Sequence, residues 1–190
     1  MKKLILTAAC IALLSACAPE TTRVQTDINP TSKISLNVQR ITLVDRSSTQ
    51  PSNSPYNTSH FQPTIADAIR QWAGDHLQAT GSTGEAVIII KDASLTSQAI
   101  PYPYDFFTRQ QASKYTGHAD VDVEIKGTTD HYALTSAEAT RYQTLPEHPT
   151  DLEMQNAYTV VLNGLMRDLG QNLDSGLRDH MQPYMGSPRR

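Results

Sequence analysis

The chain has 190 residues, of which 38% are hydrophobic, and it carries a formal net charge of −3. This acidic balance argues against a nucleic-acid-binding protein, because binding to phosphates requires clustered lysine and arginine. The length favours one compact domain with its own apolar core.

The first seventeen residues have the pattern of a bacterial secretion signal. Lys2 and Lys3 precede the uncharged run LILTAACIALLSA. This run is too short to span a bilayer, which requires about 20 apolar residues, and its length is typical of the hydrophobic region of a signal peptide. The run leads into a motif that resembles the lipobox of bacterial lipoproteins, Leu14-Ser15-Ala16-Cys17.

The lipobox resemblance implies lipid attachment at Cys17. A signal peptide of residues 1–16 is removed, the thiol of Cys17 receives a diacylglycerol group, and its amino group usually receives a further acyl chain. Two or more chains give stable anchoring, since each buried methylene contributes about 0.8 kcal/mol. Cys10 is the weaker candidate, because it would leave an apolar region of only Leu4 to Ala9.

Lipidation also implies the location and the thiol chemistry of the mature chain. In enterobacterial lipoprotein sorting, an Asp after the lipidated cysteine retains the protein in the inner membrane, so Ala18 implies the outer membrane, facing the periplasm. Cys17 is then the only cysteine left, and its acylated sulfur forms neither a disulfide nor a zinc site. No cofactor is expected beyond the covalent lipid.

The following residues predict a tether and then a folded domain. Residues 17–33 are polar, contain two prolines and show no periodicity, which is typical of a flexible tether. A single domain is predicted over 34–182, and a loose tail over 183–190. The segment ISLNVQRITLVD at 34–45 alternates in hydrophobicity with one phase slip, which predicts one strand with a bulge.

Two further segments predict a helix and a central strand. Thr64 begins an amphipathic helix with Asp67 in its first turn, and the sequence TGSTG ends it. The next segment, EAVIIIKDASL, contains the only continuous apolar run after the signal segment. Such a run favours a strand buried on both faces.

The C-terminal half predicts a hairpin and a long helix. GHADVDVEIKG alternates apolar and polar residues, and HYALTSAEATRYQTL forms a second strand after a turn. Thr150 and Glu153 form a capping box, and leucines at helical spacing extend the helix to about Met181. Three glycines interrupt this helix, so it either packs closely on the sheet, bends or stops near one of them.

The element order β-α-β-β-β-α predicts an α+β fold, a two-layer sandwich with two helices on one face of a four-stranded sheet. A lipobox, a tether and this order resemble small envelope lipoproteins, such as the lipopolysaccharide-assembly lipoprotein and the auxiliary lipoproteins of ABC transport systems. The segment ADAIRQWAGDHLQATG followed by a strand also resembles lipoproteins of Gram-negative bacteria with no assigned activity. No binding residue is carried over from these families.

The aromatic segment IPYPYDFF is the candidate partner-binding site. Pro101 and Pro103 prevent regular helix and strand pairing there, and aromatic side chains are enriched at protein interfaces. The segment either docks into a partner protein or a membrane interface, or folds back over one end of the core. Its large side chains are Ile100, Tyr102, Tyr104, Phe106 and Phe107.

A row of polar residues on one strand is the candidate cation site. Carboxylates two residues apart on a strand lie about 6.5–7 Å apart, and hard cations such as Ca²⁺ bind oxygen ligands. The alternative, which we favour, is the solvated face of a one-sided sheet. The row consists of His118, Asp120, Asp122 and Glu124.

The remaining polar candidates have simpler explanations. Glu138 and Arg141 either pair across neighbouring strands or face water. His76 and His180 have no partner at metal-binding spacing, so we expect both to be structural or exposed. No metal site is therefore predicted.

No catalytic signature appears in the chain. The patterns Gly-x-Ser-x-Gly after a strand, Ser-x-x-Lys and a phosphate-binding glycine loop do not occur, so no catalytic residue is predicted. We favour a non-enzymatic, lipid-anchored accessory or assembly subunit of an envelope transport or biogenesis complex. The alternative is a lipoprotein that binds a lipid or small ligand between its sheet and helices, or an enzyme with an unrecognised site.

Replacing Cys17 by Ser is expected to abolish lipid attachment, because serine lacks the thiol that accepts the diacylglycerol group. Labelling cells with palmitate measures this directly: the label is lost in Cys17→Ser and kept in the matched control Cys10→Ser. Label that persists in Cys17→Ser and disappears in Cys10→Ser would move the lipidation site to Cys10.

Overall fold

The computed structural model describes residues 33–47, 61–101, 110–127 and 132–186. A short 3-10 turn, Gln182–Tyr184, follows the last helix. The strands and helices are β1 (Ile34–Leu36), β2 (Arg40–Asp45), α1 (Ile65–His76), β3 (Leu77–Ala79), β4 (Glu85–Ala99), β5 (Gln111–Lys126), β6 (Tyr132–Pro146) and α2 (Asp151–His180).

A four-stranded mixed sheet forms one layer, and two helices form the other. The strand order is β2-β4-β5-β6, with β2 and β4 parallel and the other pairs antiparallel. Helix α2 packs mainly on β6 and β5, and α1 packs on β4. The predicted α+β sandwich, with two helices on one face of four strands, is confirmed.

The predicted single strand over 34–45 is two strands in two different sheets. β1 pairs in parallel with β3 in a separate two-stranded sheet, whereas β2 joins the main sheet beside β4. Between them the chain bends at 37–39 and buries Val38, whose carbonyl accepts a hydrogen bond from Gly81 N–H at 3.0 Å. The phase slip in the sequence therefore marks a change of sheet and not a bulge.

Helix α1 begins as predicted and ends earlier than predicted. The Thr64 hydroxyl accepts a hydrogen bond from Asp67 N–H at 3.1 Å, and the Asp67 carboxylate accepts from Thr64 N–H, which completes a capping box. The helix ends at His76, before TGSTG, because residues 77–79 extend to form β3 against β1. Gly84 alone of the two glycines in that turn has a positive φ, 79°.

The two long central strands carry the sheet side of the core. Ile88 and Ile90 of β4 point at the helices, and Ile89 is also buried although it points to the opposite face, as expected for the apolar run. On β5 the predicted alternation is confirmed, since Val121, Val123 and their neighbours on that face are fully buried.

Helix α2 supplies the other side of the core. Thr150 and Glu153 form the predicted capping box, and the helix continues unbroken through all three glycines for 30 residues. One stripe of its side chains is at most 1% exposed, and each buried leucine contributes about 1.5–3 kcal/mol. The leucines of this stripe are Leu162, Leu165, Leu169, Leu173 and Leu177.

The C-terminal residues differ in part from the predicted loose tail. Within 183–190, residues 183–186 are described and lie against β1. The N–H of Asn37 donates to the carbonyl of Tyr184 at 2.7 Å, and the N–H of Gly186 donates to the carbonyl of Ser35 at 2.7 Å. These bonds satisfy the free edge of β1, so the ordered fold extends to Gly186.

Two glycines in helices are expected to respond in opposite ways to alanine. A Cβ on Gly176 would lie 2.4 Å from Oγ1 of Thr135, a buried β-branched residue, whereas a Cβ on Gly74 meets nothing within 4 Å. Gly176→Ala should therefore lower the free energy of unfolding by about 1–3 kcal/mol. Gly74→Ala should raise it by about 0.5–1 kcal/mol, through helix propensity.

Urea unfolding monitored by circular dichroism measures both changes. The double variant Gly176→Ala/Thr135→Ala should recover much of the loss, because it removes the clashing atom. Equal stabilisation by both single substitutions would contradict the close packing of α2 on β6.

Candidate interaction site

The residues predicted to bind a partner lie mostly outside the described part of the chain. Ile100 is described: it is half-buried, and its N–H donates to the carbonyl of Ala112 at 2.7 Å. The segment 100–107 therefore begins at the end of the β4–β5 hairpin. The predicted residues that are not among the described ones are Cys17, Tyr102, Tyr104, Phe106 and Phe107.

The start of the domain and the hairpin end lie at opposite ends of the sheet. The end of β1 lies next to the start of β4, since Gln39 N–H donates to the carbonyl of Gly84 at 3.1 Å. From there β4 runs for 15 residues to Ala99, and a strand rises about 3.3 Å per residue. Gln39, which follows β1, is thus about 45 Å along β4 from the point where segment 100–107 begins.

The polar row on β5 lies on the open face of the sheet, which is the face opposite the two helices. A lysine neutralises the centre of this row. Lys91 Nζ lies 3.0 Å from Asp120 Oδ1 and 2.8 Å from Asp122 Oδ1. Lys91 reaches both carboxylates because it follows the inward-facing Ile90 and so lies on the same face of the sheet as Asp120 and Asp122. The pairing of β4 with β5 shifts register between Ile90 and Asp92, and this bulge brings Asp92 to that face as well.

The ion pairs shift the pKa values of the groups that form them. Partial burial by itself raises the pKa of Asp122, but hydrogen bonds from Lys91 and Ser136 outweigh burial and hold that pKa below its ordinary value. Hydrogen bonds to Asp122 and Asp120 raise the pKa of Lys91. Both shifts favour the charged forms, so the cluster is an ion-pair network at neutral pH.

The structure does not assemble the candidate cation ligands. His118 Nδ1 lies 3.0 Å from the Thr140 hydroxyl oxygen, and Glu124 lies 3.5 Å from Lys126 Nζ. Within the described ranges, no three His, Cys, Asp or Glu side chains are grouped so that they could hold a metal ion. His118, Asp120 and Asp122 instead contact neighbouring strands across the open face, and Glu124 pairs with Lys126 of its own strand.

The other polar candidates separate into structural and exposed groups. Arg141 forms an ion pair with Asp168 of α2, which joins the edge of the sheet to the helix. His76 stacks on Trp72 and donates from Nδ1 to the carbonyl of the same tryptophan at 3.0 Å. Glu138 is exposed on β6, and its Oε1 lies 3.8 Å from Nδ1 of His118.

A groove lies between the outer edge of β6 and the last turns of α2. It has a volume of about 560 Å³ and is open to solvent. His180, predicted to be structural or exposed, lies at its rim. The lining residues are Leu134, Thr135, Ser136, Asn172, Ser175, Gly176, Asp179 and His180.

Sequence reasoning missed both this groove and the role of Lys91. The groove depends on the position of α2 relative to the sheet edge, and the hydrophobic periodicity of the sequence does not indicate that position. The polar break KD at residues 91–92, inside an otherwise apolar strand, is the one sequence signal that could have indicated the bulge.

No known protein family and no curated protein matches the sequence. Solved structures do align with the chain. The minor lipoprotein of Acinetobacter baumannii aligns with a TM-score of 0.41 at 9% identity, over 80% of this chain and 99% of that one. The rare lipoprotein B of Shewanella oneidensis gives 0.39 at 8% identity, over 72% and 92%. A Helicobacter pylori protein described as a neuraminyllactose-binding hemagglutinin homologue gives 0.48 at 8% identity, over 84% and 94%.

None of the helices in the described ranges is both long enough and apolar enough to cross a membrane.

Lys91→Met should destabilise the domain in a pH-dependent way. The lowered pKa of Asp122 gives a stabilisation that is present above its ordinary value of 3.8 and lost as the pH falls. The raised pKa of Lys91 gives a second stabilisation, which is present below the ordinary lysine value of 10.5 and lost as the pH rises. The substitution should therefore cost about 0.5–1 kcal/mol near pH 7 and progressively less in acid.

Thermal unfolding across this pH range checks the loss, and nuclear magnetic resonance titration follows Asp122 directly. In Lys91→Met the pKa of Asp122 should rise. Lys126→Met serves as the control, because Lys126 pairs with Glu124 and should leave Asp122 unchanged. A loss of stability independent of pH would assign Lys91 a packing role instead.

Proposed function

We propose that this chain is an envelope lipoprotein, anchored through acylated Cys17 in the outer membrane and facing the periplasm, that acts by binding a partner protein. The observation that carries the proposal is the motif Leu14-Ser15-Ala16-Cys17 after a short apolar run. The partner is a component of an envelope transport or biogenesis complex. The chain acts there as an accessory or assembly subunit, and no catalytic step or cofactor is assigned to it.

The separation of the two ends of the domain supports this arrangement. The anchored segment enters at β1, whereas the aromatic segment 100–107 leaves at the far end of the β4–β5 hairpin. A lipid at one end and an aromatic segment at the other suit a subunit that contacts a partner away from its own attachment point. Aromatic side chains supply most of the binding energy at many interfaces.

The packing between the layers also favours a binding surface over an internal ligand site. The side chains that face each other there, such as Ile69, Val121 and Leu165, are fully buried in the core. The groove described above lies outside this layer, at the edge of the sheet. The alternative of a lipid or small ligand held between sheet and helices has no comparable support.

Affinity purification of the acylated chain from detergent-solubilised envelopes tests the proposal. A partner protein in stoichiometric amount is expected, and Tyr104→Ala/Phe106→Ala should reduce its recovery about tenfold or more, as loss of interface aromatics does. The control is Leu152→Ala/Val160→Ala, which removes exposed apolar side chains from α2. Recovery of the chain alone would overturn the partner-binding proposal.

A further inference from the structure

Among the described strands none pairs with the outer edge of β6, whose backbone groups point outward at alternate residues. The side-chain amide of Asn172 donates to the carbonyl of Glu138 at 3.1 Å, so this carbonyl points away from β5. In antiparallel pairing the N–H and C=O of one residue point the same way, and direction alternates along the strand. The backbone groups of Leu134, Ser136 and Thr140 therefore also point outward.

The pairing of the inner strands independently supports this assignment. Ile100 N–H donates to the carbonyl of Ala112, so even-numbered residues of β5 bond to β4 and odd-numbered ones bond to β6. The register of β5 with β6 is regular from Ser113–Leu145 to Lys126–Tyr132. The backbone N–H and C=O groups of even-numbered β6 residues therefore point away from β5 along this whole length.

Apart from the contact of Asn172 in α2 with the carbonyl of Glu138, this edge lacks several features by which proteins usually block strand addition. Lysines, prolines and bulges commonly protect a sheet edge. β6 contains no lysine, its only proline is its last residue, and its pairing with β5 has no irregularity before that end. The even-numbered residues of β6 from Tyr132 to Tyr142 are exposed to solvent.

The side chains around the groove define the chemistry that it would bind. Tyr132 and Leu134 are 55% and 44% exposed, which favours apolar side chains opposite them. Asp179 lines the groove on the helix side of the sheet and accepts only a long hydrogen bond, 3.5 Å, from Ser175 among its described contacts. This carboxylate favours a basic side chain on the helix side of an added strand.

We propose that the groove between β6 and α2 binds an extended segment of a partner protein as a fifth strand of the sheet. This narrows the proposed function and rests on it. Backbone groups of Leu134, Ser136 and Glu138 pair with the segment, in the manner of β-strand addition. The segment alternates apolar residues, which lie beside Leu134 on the open face of the sheet, with basic residues, which lie beside Asp179 on the helix side.

The position of α2 favours a lone strand over a second copy of this chain. Helix α2 already reaches past the edge, since Asn172 contacts Glu138 from the outer side. If β6 paired with β6 of a second copy about a two-fold axis, the α2 helices of both copies would occupy the same space beside the paired strands. A single extended segment has no such helix, and its N–H groups can replace the Asn172 amide.

Binding of a model peptide to the full acylated chain in detergent tests this proposal. The probe is an extended peptide in which lysine alternates with valine, and its control carries glutamate in place of lysine. The lysine peptide should bind about fivefold more tightly, because its charges face the Asp179 carboxylate. Hydrogen exchange should slow at the outward amides of residues 134–140 and remain unchanged on β2.

Two matched pairs of variants separate backbone pairing from side-chain effects. Ser136→Pro removes an outward N–H, which an edge strand tolerates, whereas Ser136→Ala loses the same hydroxyl and keeps the N–H. We expect about tenfold weaker binding for Ser136→Pro alone. Asp179→Asn should weaken binding about two- to fivefold, and Asp75→Asn, on α1, should not.

Specific outcomes would overturn the assignment. These are equal binding by both peptides, equal losses in Ser136→Ala and Ser136→Pro at matched thermal stability, or a concentration-dependent dimer that protects β6 without peptide. If β6 is protected from hydrogen exchange without peptide, and this protection disappears when residues 18–32 are removed, then residues 18–32 of the chain itself occupy the groove. A partner recovered from envelopes equally well with Ser136→Pro would overturn this site and leave the proposed function standing.

Discussion

The fold depends on one apolar contact, the leucine stripe of α2 against the alternating face of β5 and β6. Leu165 and Leu169 are fully buried, as are Val121 and Val123 across from them in the same core. Side chains on a strand alternate with a period of exactly two residues, so this burial fixes which face of every strand is covered. The register of the whole sheet, and therefore the residues on its open face, follows from this contact.

The open face shows how a polar surface remains ordered without a second helical layer. Its carboxylates would repel one another on neighbouring positions of β5, and Lys91 of β4 lies between two of them. At the other end of β4, Arg40 and Thr42 of β2 hold Glu85, and those hydrogen bonds lower its pKa to about 2. Ion pairs thus join β2 to β4 and β4 to β5 on this face, and the hydrogen bond between His118 and Thr140 joins β5 to β6.

Local signals in the sequence predict the elements, and contacts distant in the chain decide the rest. The cap at Thr64, the capping box of Thr150 and Glu153, the alternation on β5 and the stripe on α2 are visible because cap chemistry and periodicity act within a few residues. The division of 34–45 into two strands was not predictable in this way, because it depends on β1 pairing with residues 77–79. The same holds for Lys91, whose partners lie on another strand, and for the groove, which needs the placement of a helix beside an edge.

The small residues of α2 connect the packing of the core with the form of this edge. A helix of 30 residues is about 45 Å long, so α2 can follow β6 along nearly its full length. Where the helix carries Asn172, it reaches the edge and satisfies the carbonyl of Glu138. One turn later it carries Ser175 and Gly176, and the absence of a side chain at Gly176 lets the helix lie directly on Thr135. The same small residues leave the space beside Leu134 and Ser136 unfilled, so close packing on the helix face and an accessible strand edge have a common origin.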